Sequence, residues 1–411
     1  MKINIKILRS FILIMICPIL GFFGVIANFT RKNQGFSIAL ISLFSGIMVT
    51  MIPPYEDLSR RFYETYNVYG DTTTLREAIQ GHVDVIYYVL TLLIKKSGLP
   101  FYYVSVIVVI SSVFNHLTAL KMAVNKNYEA TDRKLKYYYI FYLSFVNIIV
   151  IALGLRMGWG VSFVILGVSS YFFARRNNTF RSIVLLIIAC LVHFAMIFAF
   201  LILAVSFFVK IQKKHVPLLV VASIVSGKLI VPYVLGNFSL GGISQYAING
   251  YVDNDSFADA STNLHENMVN YYNYMLAAVL LIFSFTHENE STRKYNSFVS
   301  LYISGCFLFS SFYIAFNRYF IELGIYFYLI SFLLSKRKSL EKYMLFVFVF
   351  SLLNLSFSTI YLQRRPIMLG EMWKSLVTPP VFYLNRSEED FEGKLKYINS
   401  DGDWIGHELG K

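Results

Sequence analysis

Long apolar runs follow one another through most of this chain, and short connections rich in lysine and arginine separate them. An apolar stretch of about 20 residues crosses the roughly 30 Å hydrocarbon core of a bilayer as a helix. The 411 residues are 56% hydrophobic and 15% charged, whereas soluble domains are about a quarter charged. The pattern predicts an all-α polytopic membrane protein without a soluble domain of ordinary size.

Most of the apolar runs have about the length of a full transmembrane helix. These runs are 10–29, 34–53, 101–121, 136–155, 157–174, 216–236, 271–286, 297–316, 319–335 and 342–362, so we expect about 10 spans. The run 83–96 is short for a crossing, and 181–209 is long with His193 near its middle. We predict that 83–96 is re-entrant or lies on the outer surface, and that 181–209 is a broken helix pair around an outward-facing cavity.

The charged connections predict how these spans are oriented. Lysine and arginine cluster in 121–136, 175–181, 210–214, 293–294 and 336–342. Cytoplasmic loops of membrane proteins are enriched in these two residues. The integral membrane domain is therefore predicted at 1–362, with outer loops at 54–82 and 237–270 and an extracytoplasmic tail at 363–411.

Two parts of this domain differ in how well their charges support that orientation. The loop 237–270 has no Lys or Arg and contains Asp253, Asp255 and Asp259, which agrees with an outside location. The amino end is nearly balanced, since a single span at 10–29 would put Lys2, Lys6 and Arg9 outside and Arg31 and Lys32 inside. The later loops decide the orientation because they are more numerous.

The net charge of +13 does not indicate a nucleic-acid partner. The positive residues stand in short connections, where they face anionic lipid, so membrane lipid is the expected partner. The sequence has no glycine-rich phosphate loop and no nucleophile elbow. Asp253-Asn254-Asp255 has the D-x-D form of some metal sites, but turn formation explains it better in a polar loop. We expect neither a metal nor a cofactor.

Ionisable residues interrupt or adjoin the apolar runs at four places: Arg156, His193, Arg318 and the pair Arg60-Arg61. Such groups are costly at membrane depth, and where they occur they usually line a polar cavity or bind charge. The predicted orientation places them at the outer face, where two guanidinium groups from separate spans can hold a diphosphate. The alternative is that Arg156 and Arg318 reach to lipid head groups.

Asp57 and His193 each have two interpretations. Asp57 and Arg61 are four residues apart, as are Glu56 and Arg60, so this segment is either a self-paired surface helix or a charged cavity mouth. His193 is either a hydrogen-bonded core residue or a functional group, which exchanges protons near neutral pH or donates hydrogen bonds to a phosphate or a sugar. The residues alone leave these alternatives open.

The order of these features resembles the EpsG-like branch of the Wzy-type polysaccharide polymerases. Asp57–Tyr63 resembles the D-x-x-x-Y element of that family, and Ala189 with His193 resembles its Ala-x-x-x-His element. Asn317-Arg318-Tyr319 opens a later span, and Thr378–Tyr383 lies near the tail. The likeness covers roughly 34–385, and the order of the short motifs carries it.

The resemblance implies an enzyme of the bacterial plasma membrane that joins undecaprenyl-diphosphate-linked repeat units into O-antigen, capsule or exopolysaccharide. A glycan would pass from its lipid diphosphate to a sugar hydroxyl of another unit on the outer face. It implies that Arg156, Arg318, Arg60 and Arg61 bind the diphosphate, with Asp57 or His193 as the base. A chain-length regulator is a further partner to be expected.

Two other functions fit parts of the same pattern. A ligase that joins finished glycan to a lipid core, or another lipid-dependent glycosyltransferase, would use the same diphosphate site. A flippase or secondary transporter should show intramembrane charges in both halves of the bilayer. Because the cations here are predicted on one side, the pattern favours a one-sided active site.

Overall fold

The computed structural model describes residues 5–127, 131–174, 178–237, 264–286, 292–335, 340–356, 372–384 and 388–398, and the regular structure of these ranges is helical. The α-helices are α1 Ile5–Ile16, α2 Pro18–Ala27, α3 Gln34–Val49, α4 Asp57–Arg61, α5 Leu75–Ile79, α6 Val85–Lys96, α7 Tyr102–Asn127, α8 Asp132–Leu143, α9 Ile148–Gly154, α10 Arg156–Phe173, α11 Thr179–Val192, α12 Ile197–Phe208, α13 Val216–Asn237, α14 Leu264–Thr286, α15 Arg293–Cys306, α16 Tyr313–Asn317, α17 Gly324–Leu334, α18 Leu340–Ser356, α19 Lys374–Val377 and α20 Glu388–Leu395. Two π-helical segments, Phe62–Tyr66 after α4 and Arg318–Leu323 between α16 and α17, join neighbouring helices.

The first apolar run is a helical hairpin, so the prediction of one span at 10–29 is wrong. The chain breaks at Cys17, before Pro18, and α2 folds back along α1. A Cβ atom on Gly21 would overlap the backbone of Ile14, and one on Gly24 would lie 2.9 Å from Ser10 Oγ. These pairs require antiparallel helices in close contact, which places Ile5 at the same end as Ala27.

The predicted break in 181–209 is confirmed at His193. Helix α11 ends at Val192, His193 is extended (φ −151°, ψ 113°), and a 3-10 turn at Phe194–Met196 leads into α12. Near the far end of α12, the Phe207 ring lies 4.9 Å from the Tyr171 ring at the end of α10. Helices α11 and α12 therefore leave and return to the same end of α10, with the break at its start.

The ten complete spans predicted are not confirmed. Within the described residues, three helical segments have both the length and the hydropathy of a span: Tyr102–Lys126, Lys213–Val231 and Met268–Thr286. Helices α8 and α9 make a fourth if the pair, bent by 43°, is counted as one. Shorter apolar helices of 10–17 residues also occur, among them those that follow the break at Cys17 and flank the break at His193.

The two ends of α10 define two ends of the bundle. Lysines gather at the end near Phe173: Lys126 Nζ donates to Phe172 O at 2.6 Å, Lys213 Nζ donates to Phe285 O at 2.6 Å, and Lys136 Nζ donates to Ala27 O. We call this the lysine end, and we call the end at Arg156 the arginine end. The hairpin of α1 and α2 therefore brings Lys6 and Arg9 to the lysine end, beside Arg31 and Lys32. The positive charges of these four residues no longer lie on opposite sides, as a single span at 10–29 would require.

The loop 54–82 and the short helix α6 form the surface of the arginine end. Helix α5 begins at Thr74 with a capping box, in which the Thr74 and Glu77 side chains bond each other's backbone N–H. Ala78 of α5 packs in a small apolar cluster with Tyr69 and Leu92. The run 83–96 contains the helix α6, and the loop 54–82 is folded against it. Its predicted position, re-entrant or on the outer surface, stays a prediction.

Candidate functional site

A buried carboxylate, Asp84, lies at the centre of a charged cluster at the arginine end. Arg156 Nη1 donates to Asp84 Oδ2 at 2.6 Å, and His193 Nδ1 lies 3.3 Å from the same oxygen. The other oxygen, Oδ1, accepts the Phe194 N–H at 2.9 Å. Arg156 Nη2 is 3.7 Å from Asp57 Oδ2. We call Asp57, Asp84, Arg156 and His193 the Asp84 cluster.

The helix break at His193 explains why Asp84 lies where it does. A break leaves the first N–H groups of the next helix without intrahelical partners, and its positive dipole end favours a carboxylate. Asp84 stands at the N-cap position of its own helix, α6, but its side chain makes no capping hydrogen bond there. It caps the turn that starts at Phe194 instead. One carboxylate therefore joins α6 to α10 and to the broken helix.

Local strain and irregular helix mark the segments that supply the charges. Two non-glycine residues of the described chain have positive φ: Glu56 (52°), just before Asp57, and Leu155 (38°), just before Arg156. Such conformations cost about 1–3 kcal/mol and persist only where the surrounding structure fixes them. A π-helical segment begins at Arg318 and includes Glu322. Backbone outliers of both kinds are frequent at functional sites.

A chain of exposed and half-buried charges leads from Asp57 to the surface. Asp57 Oδ1 lies 3.2 Å from Arg61 Nε and 3.9 Å from Arg60 Nε, and Arg61 also pairs with Glu64. The Asp57 and Arg61 side chains are 19% and 16% exposed, whereas those of Arg60 and Glu64 are both 49% exposed. The predicted pairing of Asp57 with Arg61 is confirmed. It belongs to a larger network that reaches the buried Arg156.

Arg318 reaches the same region from a distant part of the chain. His193 lies within electrostatic range of both Arg156 and Arg318. The neighbouring Tyr319 donates its hydroxyl to Ala195 O at 3.1 Å, which ties the π-helical segment to the broken helix. Arg318 does not open a span as predicted; it lies within a helix that runs from Tyr313 to Leu334 through the π-helical segment.

Gly160 allows the helix break to approach α10. A Cβ atom at Gly160 would lie 2.9 Å from Met196 Cγ and 3.2 Å from His193 Cβ. Any larger residue would push the break away from α10 and so away from Arg156, which starts that helix. The glycine therefore sets how close His193 and Arg156 can be.

The protonation of the cluster follows from its contacts. Burial raises the pKa of Asp84, but the hydrogen bond and charge of His193, the charge of Arg156 and the Phe194 N–H together hold it below its usual value. An ionised carboxylate only accepts hydrogen bonds, so His193 Nδ1 carries a proton and donates it to Asp84. A neutral imidazole then has Nε2 as its acceptor. The arrangement can accept a proton at Nε2 beside fixed positive charge.

All six residues predicted for the site lie at the arginine end: Asp57, Arg60, Arg61, Arg156, His193 and Arg318. Sequence reasoning missed Asp84, although a signal existed. A carboxylate just before a short apolar helix is costly unless it has a partner, and here it stands in the sequence Val83-Asp84-Val85.

No group of three or more potential metal ligands occurs among the residues described. The D-x-D at Asp253–Asp255 and the acidic loop around it lie outside the described residues. The prediction about a metal at those positions therefore stays a prediction.

The apolar helices and the buried charges at one end define a helical membrane protein with a polar site. The chain belongs to the EpsG family, whose sequence model matches residues 55–370. That match includes every residue of the Asp84 cluster and Arg318. No curated protein and no solved structure matches the chain. Membership of this family points to polysaccharide biosynthesis.

Proposed function

We propose that the protein is a polysaccharide polymerase that transfers a glycan from an undecaprenyl-diphosphate carrier to a sugar hydroxyl of another lipid-linked unit. One observation carries the proposal: Asp84 holds a guanidinium and an imidazole together at one end of the bundle, with Asp57 adjoining. The reaction needs positive charge for the departing diphosphate and a base for the attacking hydroxyl. The Asp84 cluster offers both kinds of group in one place.

The proposed roles follow the chemistry of each group. The bond between the anomeric carbon and the diphosphate oxygen breaks, and the acceptor oxygen forms the new glycosidic bond. Arg156 and Arg318, with Arg60 and Arg61 at the surface, stabilise the charge that develops on the diphosphate. His193 Nε2 takes the acceptor proton, while Asp84 stabilises the imidazolium that results. Asp57 orients the arginines and is the second candidate for the base.

The proposed location is the outer leaflet of the bacterial plasma membrane. Lysines dominate the opposite end of the bundle, and positively charged ends usually face the cytoplasm. With the start of α1 also at the lysine end, Lys6 and Arg9 support this orientation. The lipid chain would enter between helices beside Arg156. Arginines can stabilise the departing diphosphate without a metal, and no nucleotide is needed because the diphosphate linkage stores the bond energy.

Deletion of the gene tests the proposal when the surface polysaccharide is run on a gel. Loss of a polymerase leaves single repeat units attached to their acceptor and no ladder. Loss of a ligase leaves polymer that is made but not attached, and loss of a flippase leaves neither. Complementation with Arg156→Ala and Arg318→Ala then tests the diphosphate site. A full ladder at normal protein level with either variant would exclude that residue from the site.

A further inference from the structure

An aromatic stack lies on the outer loop beside the Asp84 cluster. The rings of His82 and Tyr88 are parallel within 13°, with centroids 3.7 Å apart. Tyr88 is only 3% exposed, whereas His82 is exposed. Tyr88 therefore covers one face of the imidazole, and the other face is turned to the solvent.

The backbone around His82 holds this ring in place. Gly81 has φ of 79°, which permits the turn that precedes the histidine. His82 N–H donates to Ile79 O at 3.2 Å at the end of α5, and α6 starts three residues later. Because α5 has a capping box and packs through Ala78, the helix that precedes the His82 ring is itself fixed in place.

Charged groups lie near the stacked pair of rings. His82 lies within electrostatic range of Glu64, Arg61, Arg156 and Asp84. The Glu64 side chain is 49% exposed. The stack is therefore within electrostatic range of a surface carboxylate and of the buried cluster.

The ring has the properties of an aromatic platform. Burial lowers the pKa of His82, as do the positive charges of Arg61 and Arg156, against the opposing effect of Glu64 and Asp84. The imidazole is therefore neutral near pH 7. A neutral aromatic face attracts the weakly positive C–H groups of a sugar ring, and nearby charged groups bond its hydroxyls.

We propose that His82, supported by Tyr88, is the stacking platform for a pyranose ring of the lipid-linked glycan, with Glu64 accepting hydrogen bonds from its hydroxyls. The inference rests on the proposed function, since it names a sugar subsite of the same reaction. It assigns to the outer loop the task of holding the glycan, while the Asp84 cluster performs the transfer.

The test uses the purified full chain in lipid vesicles, with lipid-linked repeat units extracted from a strain in which the gene is deleted. Polymer formation is measured against the concentration of these units. We expect His82→Ala to raise the apparent KM about three- to tenfold, as for loss of one aromatic contact, with kcat within about twofold of the wild type. His82→Phe keeps the stacking face and should retain the wild-type KM. His215→Ala, an exposed histidine at the lysine end, is the matched control.

The outcomes distinguish a failure of the stacking platform from a failure of the proposed function. An unchanged KM in His82→Ala, or an equal loss in His82→Phe, would overturn the platform while the wild-type enzyme still makes polymer. If the wild type makes no polymer from these units, the proposed function fails and the platform fails with it. Size-exclusion chromatography in detergent verifies that each variant is folded.

Discussion

The two ends of the bundle use positive charge in different ways. At the lysine end, exposed ammonium groups donate to carbonyls near the C-terminal ends of helices, as Lys126 does at Phe172 and Lys213 does at Phe285. At the arginine end, guanidinium groups meet carboxylates, and Arg156 is buried with its partner Asp84. At the lysine end the cations neutralise helix dipoles, whereas at the arginine end the ion pair of Arg156 and Asp84 is buried away from water.

The energies of these two arrangements differ in kind. A surface cation at a helix C-terminus contributes about 0.3–1 kcal/mol and is replaceable. A buried ion pair gains little net stability because desolvation offsets its attraction, yet removal of one partner costs about 3–5 kcal/mol. The fold therefore maintains at the arginine end an arrangement that stability alone does not favour. This difference is the reason why we propose the arginine end as the functional one.

The largest expected effect is that of Arg156→Met. Loss of one fixed donor to a developing anion should lower polymer formation about 10²–10³-fold, and Asp84 is left buried without its cation. The double variant Arg156→Met with Asp84→Asn should recover protein level without activity. Ladder length and membrane protein level are measured together. A full ladder in the Arg156→Met variant would show that the charges of the arginine end are no more important for the reaction than those of the lysine end.

Asp84→Asn should have the next largest effect. The amide keeps the size of the side chain and an acceptor for the Phe194 N–H, but it loses the charge that orients His193 and Arg156. Loss of an orienting partner of this kind typically costs about 10- to 100-fold in activity. Asp71→Asn, on an exposed carboxylate of the loop 54–82, is the control and should leave the rate unchanged. Equal rates for both variants would deny Asp84 any role beyond packing.

Gly160→Ala tests whether the close approach of the helix break at His193 to α10 is needed for activity. The new methyl group would meet Met196 Cγ at 2.9 Å and His193 Cβ at 3.2 Å. Overpacking of this kind costs about 1–3 kcal/mol, and the displaced His193 should lower activity as well. Gly167→Ala, on the same helix nearer the lysine end and 3.1 Å from Leu186 Cγ, should affect stability alone. Thermal unfolding in detergent and polymer yield distinguish the two, and equal activity in both would show that the position of the break is unimportant.

The smallest effects should come from the lysine end. Lys126→Met and Lys213→Met each remove one donor to a helix carbonyl, so each should lower the free energy of unfolding by about 0.3–1 kcal/mol. The polysaccharide ladder should not change. A shortened ladder at normal protein level would give the lysine end a role in the reaction.

Part of this organisation is predictable from single residues. Arg156 and His193 interrupt apolar runs, so the cost of burying them indicates a site from the sequence alone. Lysine and arginine on both sides of 181–209 predict that the segment returns to one side, and the break lies at His193 as expected. These features are local, and the sequence shows them directly.

Other features depend on contacts between distant residues. Asp84 looks like an ordinary N-cap, because its partner His193 is 109 residues away. The hairpin of α1 and α2 was missed because 10–29 has the length of a span and Pro18 is tolerated in a membrane helix. The close packing of Gly21 on Ile14 decides the fold there, and hydropathy does not report it.

The most direct test of the account is the labelling of single cysteines on intact cells with a membrane-impermeant maleimide. Arg60→Cys and Lys126→Cys mark the two ends, in a background in which the native Cys17, Cys190 and Cys306 are replaced by alanine. The account predicts that the cysteine at 60 is labelled in intact cells and that the one at 126 is labelled only after the membrane is permeabilised. Labelling of both from the outside, or of 126 alone, would contradict an arginine end that works on the outer face.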